Sequence, residues 1–164
     1  MTRTYFEKTA LFLMLLCLFA LPCLGISEEV ETPTLKDNVL ALMETVETEE
    51  MFEVPSEMMM DFYGIDATLF ADFYCQTGLD NLIANEIIAV TLTDEQTQED
   101  ILPILQDRLV TWGESMQSYL PEQYEKIAQG VILLKDRTYL MFVTQNTKED
   151  VTPFLEDGFA TVEW

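Results

Sequence analysis

ILPILQDRLVTWGESMQSYLPEQY, Ile101–Tyr124, decides how this chain folds. Its apolar residues fall at Ile101, Leu105, Leu109, Trp112, Met116 and Tyr119. Spacings of three and four put them on one face of an α-helix about five turns long. Thr97 with Asp100 resembles a capping box, and Pro103 is hard to place deep in a helix, so the start is expected near Gln98 or Asp100. A helix with one apolar side needs a surface to lie on. The runs that follow supply it: Val131–Lys135 (VILLK) and Tyr139–Thr144 (YLMFVT) read as two strands joined by a tight turn at Asp136-Arg137. Between helix and hairpin, Pro121 makes a break, Glu122–Gln129 reads as a short helix with Glu122 as its cap, and Gly130 closes it.

Upstream lies a second pair of strands. Ala67–Thr77 (ATLFADFYCQT) alternates Leu69, Ala71, Phe73 and Cys75 against Phe70, Asp72, Tyr74 and Gln76, with a helical start near Asp66 as the other option. Ile83–Thr93 (IANEIIAVTLT) sets Ile87, Ala89 and Thr91 on one side and Ile88, Val90 and Leu92 on the other. Before them, Thr34–Thr48 is a first amphipathic helix capped by Thr34, and Ser56–Tyr63 is a short one that Gly64 stops. Thr147–Asp157 is a last helix capped by Thr147. Gly158–Trp164 is a tail that docks through Phe159 and Trp164 or frays. The expected fold is therefore α+β: one mainly antiparallel sheet of about four strands in two hairpins, a long helix between the hairpins, and helices packed on one face.

The chain of 164 residues carries 8 Lys and Arg against 30 Asp and Glu, a formal charge of −22. Such a surface repels phosphate backbones and anionic headgroups, so nucleic acid is not an expected partner. There is no histidine. That removes Ser-His-Asp and Cys-His catalysis, His-ligated zinc and the usual base near neutral pH.

Met1–Lys8 holds Arg3 and Lys8, and Thr9–Ile26 is uncharged up to a break at Pro22 and Gly25. This is the layout of a secretory signal, so the protein is expected to be exported, extracellular or attached to the outer face of the cytoplasmic membrane. The N-terminal segment is the only expected membrane contact. Three fates stay open: cleavage after Gly25, retention as an anchor, or lipidation at Cys23. The expected organisation is 1–25 signal or anchor, 26–33 acidic tether and 34–164 one α+β domain. Cys75 is the one cysteine of the body; without a partner or a neighbouring cation it reads as a small buried apolar side chain.

Several segments together resemble a known family. They are Tyr63-Gly64-Ile65-Asp66, Asn85-Glu86-Ile87-Ile88-Ala89-Val90, the helix around Gln106-Asp107-Arg108-Leu109, Tyr119-Leu120-Pro121-Glu122-Gln123-Tyr124-Glu125-Lys126, and Leu140-Met141-Phe142-Val143. In this layout the chain resembles the bacterial domain-of-unknown-function 4358 family over roughly residues 35–156. The resemblance implies a small exported protein, often a lipoprotein, and brings no activity and no catalytic residues.

Tyr119, Glu122, Gln123 and Tyr124 form the most individual local feature, and as a recognition surface they would offer rings and an amide at a proline corner. The same residues also suit a helix cap and rings packed on a sheet. No catalytic, cofactor-binding or metal-binding residues stand out. Met58-Met59-Met60 brings copper(I) to mind, but adjacent residues on a helix point about 100° apart, which suits core filling better. Gly113-Glu114-Ser115 lacks the second glycine of a nucleophile elbow and lies within the helix. The leading expectation is a non-enzymatic cell-envelope domain that binds a protein partner, motivated by the rings of Phe70–Tyr74 and the tail. The alternative is a carboxylate-dependent hydrolase of envelope glycans, which needs two facing acids in a cleft.

Overall fold

Both alternate sets of EIIAVTL, Glu86–Leu92, are largely apolar, and a strand of that kind must be covered on both sides. The computed structural model describes residues 33–43, 51–94 and 98–164 and shows this. The expected signal, Cys23, residues 26–32 of the tether and the Thr97 cap lie outside the described residues.

The strands are β1 (Met51–Glu53), β2 (Phe70–Gly78), β3 (Glu86–Leu92), β4 (Val131–Lys135), β5 (Thr138–Val143) and β6 (Ala160–Val162). They form one antiparallel sheet in the order β1-β2-β3-β5-β4-β6. The helices are α1 (Leu35–Met43), α2 (Met59–Tyr63), α3 (Gln98–Met116), α4 (Pro121–Ile127), α5 (Thr147–Asp150) and α6 (Thr152–Glu156).

The α+β class and the antiparallel sheet are as expected, but the sheet has six strands rather than about four. The two additional strands, β1 and β6, are three residues long, too short to show a period. The second of them replaces the expected tail. Trp164 also docks there, its indole Nε1 donating to Gly130 O at 2.9 Å.

The helices do not share one face. Ile88, Val90 and Leu92 pack with Met141 and Val143 under Met59 of α2, the apolar side of α3 and Ile127 of α4. Ile87, Ala89, Leu140 and Phe142 pack on the opposite face with Val39 of α1, Val151, and Phe154 of α6. Two buried faces follow from two apolar sets in β3 and β5, which one helical layer would leave half exposed.

The stripe of α3 behaves as its spacing predicts through Ile101, Leu105, Leu109, Trp112 and Met116, all buried. Each such side chain contributes about 1.5–3 kcal/mol on burial. The helix stops at Met116, so Tyr119 falls outside it and stays exposed. Leu120 is the N-cap of α4 and Pro121 its first residue, where a missing N–H costs nothing. Glu122 is therefore not the cap, as the sequence suggested, but part of the first turn.

In β2 the expected alternation fails at one point. A register irregularity between Phe70 and Asp72 puts Phe70 on the same side as Phe73, and the two rings stack at 5.5 Å. Asp66 caps a single 3-10 turn, Ala67–Leu69, before the strand begins. Thr34 caps α1, its Oγ1 accepting from Asp37 N at 3.1 Å while Asp37 Oδ2 accepts from Thr34 N at 2.9 Å. The last expected helix is split into α5 and α6. Of the three methionines only Met59 reaches the core.

Candidate functional site

A glutamate at the first position of an apolar strand has to face either solvent or the core. Glu86 faces the core, beneath α3, with none of its surface exposed. A buried carboxylate is costly unless it is paired and hydrogen-bonded. Arg108, on the flank of the α3 stripe between Leu105 and Leu109, supplies the pair. Its Nε donates to Glu86 Oε1 at 3.0 Å and its Nη2 to Oε2 at 2.8 Å. Two further donors complete the shell of Oε2: Tyr63 Oη at 3.0 Å and Thr77 Oγ1 at 3.2 Å.

Each partner is delivered by local structure. Tyr63 ends α2, and Gly64, at φ 70°, turns the chain there in the left-handed region that glycine tolerates. Thr77 lies opposite Glu86 in the β2–β3 register, so the two side chains share a face. Trp112 stands one turn after Arg108 on α3, and the guanidinium lies 4.5 Å from its ring centroid and 5.6 Å from that of Tyr63.

The electrostatics hold Arg108 and Tyr63 as hydrogen-bond donors. Burial acts to lower the Arg108 pKa, but the hydrogen bonds and charge of Glu86 outweigh it, and the guanidinium is held above its ordinary value. Burial first, then the charge of Glu86, pushes the Tyr63 phenol far above its usual range, so it stays a donor. Cys75 Sγ donates to Tyr63 Oη at 3.6 Å, and burial pushes its thiol up to about 12. A thiol so protected is a poor nucleophile, as its lack of a flanking His or cation in the sequence implied.

The pair is open on one side. Arg108 keeps 32% of its side chain exposed. It lines a surface cavity of about 240 Å³ with Trp112 and Met116 of α3 and with Asp80, Asn81 and Ile83 of the β2–β3 loop. That loop is internally fixed. Asp80 Oδ1 accepts from Leu82 N at 2.8 Å and Asp80 O from Ile83 N at 3.0 Å, while Gly78 N donates to Asn85 O at 2.8 Å. It is also tied to the proline corner, because Ala84 N donates to Gln123 Oε1 at 2.8 Å. Leu79 and Leu82 on this loop are 60% and 53% exposed, and Tyr119, at the neighbouring corner, is 59% exposed.

The four residues singled out at the corner do not gather into one site. Glu122 and Gln123 line a polar cavity of about 410 Å³ with Lys126, Thr144 and Gln145. Tyr124 is half-buried, its ring lying over Gly113, and borders a different cavity of about 300 Å³ beside Trp164. Tyr119 lines neither. Gln123 is committed to the loop, so Tyr119 and Glu122 are the exposed members. The rings of Phe70 and Phe73 pack against the core and Tyr74 is buried, so they no longer motivate a partner.

Tyr63, Glu86, Arg108 and Trp112 were not singled out from the sequence as a site. The available signal was an acid opening an apolar strand and an arginine bordering an apolar helix stripe, each in a segment that carried the family likeness.

Two buried acids among the described residues are engaged separately. Glu86 is bound as above. Asp150 accepts from Thr144 Oγ1 at 2.5 Å, and burial raises its pKa against that hydrogen bond. Among the described residues there is no group of three or more metal-ligating His, Cys, Asp or Glu, and no helix long and apolar enough to cross a membrane.

Tyr63, Glu86, Arg108, Trp112, Tyr119 and the whole β2–β3 loop fall within residues 44–144, the part of the chain that a family model matches. No curated protein and no solved structure gives a match. The match covers more than half of the chain, which belongs to the family described as domain of unknown function (DUF4358).

Proposed function

We propose that this protein is an exported cell-envelope domain that works by binding a protein partner. The recognition surface is the end of the sheet where the β2–β3 loop meets the α3–α4 corner. One observation carries this reading: Leu79, Leu82 and Tyr119 are each more than half exposed on a loop and a corner that hydrogen bonds hold in place. Large apolar and aromatic side chains presented on fixed backbone lose little entropy on binding and commonly anchor interfaces. Export is supported by the N-terminal layout of Arg3 and Lys8 before an uncharged run. The carboxylate-hydrolase alternative asks for two facing acids with one in an apolar pocket. Among the described residues the buried acids Glu86 and Asp150 are each committed to other groups, and Glu122 and Glu125, which share the polar cavity of about 410 Å³, are both exposed.

The test is capture from cells with the full chain, followed by reconstitution with the purified partner. A Leu82→Asp/Tyr119→Asp variant that is folded by circular dichroism should lose at least about tenfold in affinity for that partner. Equal affinity of the variant contradicts the placement of the surface. Reading the N-terminus and mass of the mature protein tests export and distinguishes cleavage, lipidation at Cys23 and retention.

A further inference from the structure

The binding reading leaves open what the cavity beside Arg108 takes. Resting on that reading, we propose that it receives an uncharged amide of the partner peptide, whose carbonyl accepts a hydrogen bond from Arg108 Nη1.

A guanidinium has five N–H donors in a planar fork. Glu86 uses one on Nε and one on Nη2. Arg108 Nη1 donates to no group among the described residues, yet it is not one of the buried polar atoms left without a partner. It is therefore reachable from solvent, and Arg108 lines the cavity. The fork is already oriented, by two bonds to a fully buried carboxylate and by the Trp112 ring beneath it. Little side-chain freedom is left to lose when an acceptor arrives.

Charge then selects among acceptors. Glu86 neutralises Arg108, and Asp80, which lines the same cavity, adds a negative charge. A carboxylate entering here meets Asp80 without a surplus cation to favour it, on a chain of net charge −22. An ammonium group is drawn by Asp80 but offers only N–H donors, so it cannot accept from Nη1. A neutral amide offers Nη1 a carbonyl and brings no charge to set against Asp80 or the guanidinium, and its substituents have Ile83 and Met116 to pack on.

Three probes of similar shape separate these cases: N-acetylglycine N-methylamide (neutral), N-acetylglycine (anionic) and glycine N-methylamide (cationic). Each is titrated into the ¹⁵N-labelled full-length chain while the Trp112 indole and Arg108 Nε–H signals are followed. The neutral probe should saturate both signals and bind at least about fivefold more tightly than either charged one. Ser115→Phe, which fills the cavity from the α3 side without altering Glu86 or Arg108, should abolish that response. Tightest binding of either charged probe, equal binding of all three, no saturation, or a response unchanged by Ser115→Phe would each overturn the proposal. So would tighter binding of N-acetylglucosamine, which would mark a glycan site. If the probes fail while partner affinity still depends on Leu82 and Tyr119, the amide pocket falls and the binding surface stands.

Discussion

Glu86 and Arg108 form a bidentate ion pair with unequal burial: the carboxylate has no exposed surface, whereas 32% of the arginine side chain faces solvent. Removing one member of a buried pair leaves the other uncompensated. Glu86→Ala is expected to destabilise the fold by about 3 kcal/mol, seen as a lower urea midpoint, and Glu86→Leu/Arg108→Met should regain most of it. A double variant as unstable as the single one would show that shape rather than charge dominates this site.

Asp150 has its pKa raised, mainly by burial. Its folded-state value lies above the unfolded one, so the folded protein holds this proton longer. Stability contributed here is full below the ordinary carboxylate range and is lost as pH rises through the raised value. Relative to Asp150→Asn, the wild type should therefore lose unfolding free energy on going from acid toward neutral pH. Denaturant titrations of both proteins across that range check the sign, and a difference that grows in the other direction would refute it.

Gly130 lies between α4 and β4, where an added Cβ would stand 2.8 Å from Ile127 O and 3.1 Å from Leu109 Cδ2 and Val143 Cγ2. Backbone cannot give way as a flexible side chain can. Gly130→Ala should cost about 2 kcal/mol through overpacking, measured by thermal or urea unfolding.

Cys75 is fully buried, and its thiol is pushed up to about 12. A thiol reagent should leave it unlabelled in the native protein and label it only as the structure opens. Peptide mapping, which separates it from Cys17 and Cys23, should show labelling that accelerates through the unfolding transition. Rapid labelling in native buffer would contradict the packing around Tyr63.

What could be read in the sequence follows from length and periodicity. The α3 stripe and the two faces of β3 each repeat their signal over several residues, so both were legible. So were the β4–β5 hairpin and the glycine stop at Gly64. The short strands β1 and β6 carry no such repetition, and the register irregularity after Phe70 depends on neighbours across the sheet. Helices on both faces are implicit in Ile87 and Ile88 both being apolar, but two apolar sets in a strand do not say which element covers each. The site was hidden for a different reason. Tyr63, Thr77, Glu86 and Arg108 come from four separate elements, and only strand register and the rotation of α3 bring them together. Tyr119 read as the last residue of the α3 stripe, and it is exposed because the helix ends at Met116; Gln123, at the same corner, has its Oε1 engaged by Ala84 N.

Site-specific photo-crosslinking in living cells tests the binding surface most directly. A photoreactive residue is placed at Leu82, at Tyr119, or at Glu156 on α6, away from the proposed surface. Positions 82 and 119 should capture one common protein, Leu79→Asp should abolish that capture, and position 156 should not capture it. Capture of the same protein from position 156 alone, or equally from all three positions, would contradict a recognition surface at the junction of the β2–β3 loop and the α3–α4 corner.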